Sequence, residues 1–120
     1  MHIKINRKKI PIYIKTTFKD KLVSLRFKLD EINYGLCFPK KRRINTYLFC
    51  QQIDIIMTDK NNKILNIFKN ASSENFYKGQ KGTYYTYIFP LGVSDYYVQG
   101  DILDVVLNDS DNSFLLKSKK

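Results

Sequence analysis

Tryptophan is absent from this 120-residue chain, and alanine and histidine occur once each. A chain so poor in alanine yet rich in Ile, Phe and Tyr favours sheets over long helices. No apolar run approaches the ~20 residues that a membrane-spanning helix needs. The start, Met1-His2-Ile3-Lys4-Ile5-Asn6, alternates like a strand and lacks the hydrophobic block of a signal peptide, so the chain is expected to be cytoplasmic. Cysteine is limited to Cys37 and Cys50, each with apolar neighbours, which reads as two reduced core thiols. They are too few for a structural zinc site, and the single His2, at a terminus, is poorly placed as the base for a thiol nucleophile. Lys78-Gly79-Gln80-Lys81-Gly82 has flexible glycines without the spacing of a phosphate loop, and no serine nucleophile elbow is present. Only Asp54 looks enclosed, so paired carboxylates for acid–base work are missing. These absences argue against an enzyme, and no cofactor or metal is expected.

What is abundant is positive charge, a formal +10 at neutral pH. It predicts attraction to polyanions such as nucleic acid. A plainer account competes with it. Lys, Ile, Asn, Tyr and Phe are all abundant and all have codons rich in A and T. Lys also outnumbers Arg about fourfold, whereas dedicated phosphate readers lean on the planar fork of Arg.

At this length the chain is one domain, able to bury about two thirds of its unfolded surface without a disulfide or metal. Its organising stretch is Ile53 to Phe68, which reads as two strands around Asp59-Lys60-Asn61-Asn62-Lys63. Asn62 suits the left-handed position of the turn. Both strands are apolar on both faces, so the hairpin is expected to be central.

His2–Ile5 and Ile10–Ile14 predict a first hairpin around Asn6-Arg7-Lys8-Lys9, with Pro11 at an edge or pointing outward. Phe18, Leu22 and Leu25 share one stripe of a short helix, capped by Thr16 or Thr17 and running to Arg26. Tyr34–Phe38 and Tyr47–Cys50 read as strands on either side of Pro39 and the run Lys40-Lys41-Arg42-Arg43. Thr83–Phe89 is a further strand, with Tyr85, Tyr87 and Phe89 on one side. Ser94 is placed to cap a helical turn, Gly100 to close it, and Ile102–Leu107 to form the last strand. The expected domain spans 1–107, followed by a polar, loosely held tail at 108–120.

The order of these elements resembles an uncharacterised prokaryotic family known as domain of unknown function 192, over about residues 9 to 107. That family carries a His-Thr-x-x-Met…Ile-Asp segment, an Asp-x-Asp-Gly hairpin, a Leu-Pro-x-Gly bend and a Gly-Asp before its final strand. The corresponding stretches here are Asn45-Thr46…Ile53-Asp54, Asp59-Lys60-Asn61-Asn62, Phe89-Pro90-Leu91-Gly92 and Gly100-Asp101. Asn45, Phe49, Asn62 and Ile88 stand where the family has His, Met, Gly and an acid. The resemblance implies a compact, mainly β fold, an antiparallel barrel or two-layer β-sandwich with one or two short helices. It implies no established activity.

Asp54 is the residue that demands an explanation, because an acid inside an apolar strand must find hydrogen-bond donors. One reading makes Asn45, Thr46 and Asp54 a small polar pocket for a ligand or protein partner. The other makes Asp54 a structural tie. The tyrosines of 84–87 beside lysines admit a base-stacking surface, against the commoner role of cross-strand packing. The leading expectation is a non-enzymatic binding or accessory module with its pocket near Asp54. The alternative is an electrostatic nucleic-acid binder using Arg7, Lys8, Lys9, Lys40, Lys41, Arg42 and Arg43.

Overall fold

The computed structural model describes residues 1–5, 8–14, 32–46, 52–72 and 74–106. The expected helix at 16–26, the strand at Tyr47–Cys50, Arg7 and the tail at 108–120 lie outside them. Among the described residues are eight strands: β1 (His2–Ile5), β2 (Lys8–Ile14), β3 (Gly35–Pro39), β4 (Arg43–Asn45), β5 (Ile53–Thr58), β6 (Ile64–Ala71), β7 (Phe76–Lys78) and β8 (Tyr85–Pro90). A single 3₁₀ turn, Val93–Tyr96, follows β8. The fold is mainly β, as the composition implies.

Six strands form one sheet in the order β1-β2-β3-β8-β5-β6, and β4 pairs with β7 in a separate ribbon. Every pairing is antiparallel except β2 with β3, which run parallel with Ile12 opposite Gly35 and Ile14 opposite Cys37. A parallel pair needs a long crossover, and residues 15–34 supply its length. The expected antiparallel architecture thus contains one parallel pair. Pro11 faces solvent in an interior strand, one residue before the pairing with β3 begins, so its missing N–H costs that ladder nothing. Lys8 and Lys9 belong to β2 rather than to the turn.

The sheet buries both of its faces. Leu36, Phe38, Ile53, Ile55, Met57 and Ile88 pack on one side, where Ile44 of the β4–β7 ribbon covers them. Ile3, Ile12, Cys37, Ile56, Tyr87 and Phe89 pack on the other, against Val93 and Leu103. Alternating residues of β3, β5 and β8 thus serve two cores, the period-two consequence of the pleat. Gly35 is required where Phe89 crosses β3, since a Cβ there would lie 2.8 Å from the ring. All six residues of β5 are buried, which matches its expected central place. β6 is a correction: it forms the sheet's last strand and its middle is only half-buried.

Neither outer edge is left raw. Residues 100–106 run from one edge to the other, where the expected last strand would be. Ile64 and Leu103 donate their N–H groups to Asp101 O and Asn62 O, both at 2.8 Å. Farther along, His2 and Val106 exchange two backbone bonds of 2.9 and 2.8 Å. Because the segment spans a gap between two partners, it makes isolated bridges at Ile102 and Val106 in place of a ladder. The curled sheet is thereby clasped toward a barrel, with one end of each edge strand covered.

Asn62 takes the left-handed backbone predicted for it, with φ of 63°. Its side-chain oxygen accepts the Tyr87 hydroxyl at 2.6 Å, tying the turn to the second core. Asp59 Oδ1 accepts the N–H groups of Asn61 and Lys63, at 2.8 and 3.0 Å, and so fixes the same turn.

Candidate functional site

The site begins with an irregularity in β6. Ile53 pairs with Ala71 and Ile55 with Phe68, so two residues of β6, Lys69 and Asn70, oppose Asp54 alone. Such a bulge frees a ladder donor. Asp54 Oδ1 accepts that N–H, from Asn70, at 2.9 Å. Its Oδ2 accepts three more bonds from the bend after β8: Gly92 N–H at 3.0 Å, Ser94 N–H at 2.9 Å and Ser94 Oγ at 2.7 Å. All four partners donate, which is what an acceptor-only carboxylate requires. Asp54 is 1% exposed. One side chain therefore ties β5, the β6 bulge and the 3₁₀ turn. Gly92 enters that turn with φ of 98°, a geometry glycine takes without strain. Ser94, expected to cap a helix, lies inside the turn and serves Asp54.

Thr46 is fully buried but makes a different tie. Its hydroxyl donates to Ser72 O at 2.7 Å, and its oxygen accepts Asn75 N–H at 3.0 Å. Asn45 is placed by backbone pairing with Phe76. Asp54 and Thr46 are thus satisfied by separate sets of partners. They brace neighbouring stretches of chain, at Asn70 and at Ser72, Glu74 and Asn75.

Beside the Asp54-held bend lies an open cleft of about 590 Å³. Ile5, Ile10, Ile32, Leu91 and Val93 give it apolar walls, while Lys8, Asn33, Asp95 and Tyr96 supply polar groups. Asp54 does not line the cleft; it holds the wall. Lys69 Nζ reaches Asp95 Oδ1 at 3.3 Å across the outside of the turn. Sequence reasoning missed these lining residues, although the Phe89-Pro90-Leu91-Gly92 bend that carries several of them was legible.

The basic runs separate. Lys8 precedes the β2–β3 register while Lys40 follows it, which puts them roughly 30 Å apart along the strands. Lys8 and Lys9 belong to the cleft end. Lys40 to Arg43 belong to the other, where Lys41 N–H bonds Tyr84 O at 3.2 Å and Gly79 N–H bonds Arg42 O at 2.7 Å. Partial burial pulls the Lys41 ammonium below its ordinary value. Of the tyrosines, Tyr87 is a core residue stacked on Phe89 at 5.6 Å, and burial pushes its phenol well above the usual range, with the neighbouring Cys37 thiol adding to the shift. Cys37 is a buried thiol. Among the described residues no group of three His, Cys, Asp or Glu side chains is arranged to hold a metal. No described helix is long and apolar enough to cross a membrane.

No protein-family model matches the chain. No curated protein matches it either. Among solved structures it is similar to a protein of unknown function from Novosphingobium aromaticivorans, 16% identical with a TM-score of 0.70, covering 87% of this chain and 82% of that one. It is also similar to a "putative transcription regulator" from Sinorhizobium meliloti, 12% identical with the same TM-score of 0.70, covering 86% of this chain and 88% of that one. At these identities the likeness is one of fold: a small, mainly β domain.

Proposed function

We propose that this domain is a non-catalytic binding module whose site is the cleft against the Asp54-held bend. We also propose that it is a divergent relative of the domain of unknown function 192 family, on the bend and hairpin residues that carry that resemblance. The observation that supports the binding reading most is the investment of one buried carboxylate, with four donors, in fixing one wall of an open cleft. Apolar walls with a few convergent polar groups are the usual make-up of ligand sites. An amphipathic ligand fits this lining, its apolar part against Ile10, Leu91 and Val93 and an anionic end toward Lys8. The buried Cys37 thiol is out of reach of a substrate, which favours binding over thiol chemistry.

The test is a thermal-shift screen of amphipathic carboxylates and short peptides against the protein and its Leu91→Glu variant. Leu91 is half exposed, so the change blocks the cleft without touching the core. Ligands that raise the melting temperature of the parent and not of Leu91→Glu are expected. Hits that act equally on both would defeat the reading.

A further inference from the structure

The outer side of the β4–β7 ribbon, which covers one face of the sheet, carries a second surface. Residues 40–43 and 76–84 contain six cations and no acid. The fold brings them together through the β4–β7 ribbon, where Arg43 lies directly opposite Lys78. The ribbon alternates: Ile44 and Tyr77 turn into the first core, while Arg43, Phe76 and Lys78 face out. Like charges facing each other across an antiparallel pair destabilise it, and neither Arg43 nor Lys78 has an ion-pair partner among the described residues. Phe76, two residues along the strand from Lys78 on the same face, is 59% exposed. Arg42 turns its Nε toward Gly79 O at 2.8 Å, so the loops carrying Lys40 and Lys81 are docked to each other.

We propose that this outward face of the β4–β7 ribbon binds single-stranded nucleic acid. Phe76 stacks a base, and Arg43 and Lys78, with Lys40, Arg42 and Lys81 around them, neutralise the phosphates. The occupant follows from the chemistry. A positive row with no acid calls for a polyanion, and an exposed aromatic about 7 Å along the strand from a cation calls for one that also offers a bare π-face. A duplex hides its base faces inside the stack. An anionic membrane would be met by several apolar side chains, whereas this face offers one. The surface lies apart from the cleft and does not depend on it.

Fluorescence anisotropy of labelled oligo(dT) and oligo(U), measured from low to moderate salt, tests the proposal. Affinity should fall as salt rises, with a log–log slope near −3 if about four phosphates are contacted. Arg43→Gln with Lys78→Gln should weaken binding at least tenfold and flatten that slope by about 1.4. Phe76→Ala should weaken it about tenfold with the slope unchanged, because a base contact releases no counterions. Lys4→Gln on β1, exposed and remote from the ribbon, should have no effect. Melting curves of each variant show that its fold is kept, since all these side chains are exposed. Full binding by the double variant, equal binding of a duplex of the same length, or binding of phosphatidylserine vesicles in place of oligonucleotide would each overturn the proposal.

Discussion

The two ends of the sheet are built by opposite means. At the cleft end a charged side chain is turned inward and bonded to backbone from β6 and the 3₁₀ turn. At the ribbon end the loops are joined mainly by backbone, Lys41 to Tyr84 and Gly79 to Arg42, and the side chains of Arg43 and Lys78 are exposed. The first arrangement makes the fold depend on one residue. The second leaves the Arg43 and Lys78 side chains exposed on the ribbon.

The largest break in this contrast is Asp54→Ala. It strands four donors in a buried place, each costing about 1–3 kcal/mol when left unpaired, so the melting temperature should drop on the order of 10 °C or more. Asp54→Asn should recover only part of the loss, because its amide group presents donors to donors. A drop of a degree or two in Asp54→Ala would mean that the bend holds itself. Next in size is Gly35→Ala, whose methyl group would push into the Phe89 ring and cost about 1–3 kcal/mol in denaturant unfolding.

Tyr87 gives a pH test. Its folded pKa is raised above the ordinary 10, so the stabilisation is complete below that value and declines as pH climbs past it. Tyr87→Phe should lose about 1 kcal/mol at neutral pH, for the bond to Asn62, and show a shallower alkaline decline. An unchanged alkaline limb would assign that decline to other groups, Tyr85 and Tyr97 among them, whose phenols burial also pushes up.

At the ribbon end the sign should reverse. Lys78→Glu converts the opposed cations into an ion pair and should raise the melting temperature slightly, more at low salt than at high. A clear destabilisation would show that the ribbon needs its lysine. The smallest effect is expected from Lys69→Ala, since both partners of its pair with Asp95 are largely exposed, and its melting curve should overlay that of the parent.

Much of the architecture was legible because it rests on local chemistry. The alternation of Tyr85, Tyr87 and Phe89 against Ile88 reports the two cores, and Asn62 between two apolar runs reports a turn needing positive φ. Asp54 stood out because an acid between isoleucines must be satisfied. What satisfied it was not legible. A bulge at Lys69–Asn70 leaves no residue signature in a run such as Ile67-Phe68-Lys69-Asn70, and the bend reaches Asp54 from some forty positions away. The parallel β2–β3 pair and the like-charged Arg43–Lys78 pair are also long-range choices. Local propensity is silent on them.

The clasp at residues 100–106 bears on how the chain comes into being. During synthesis the six main strands can associate before it emerges, yet β1 and β6 then offer uncovered hydrogen-bonding rows to any neighbouring nascent chain. This late segment then occupies one end of each row, at Ile64 and at His2. A few residues with no regular secondary structure thereby join the two outermost strands.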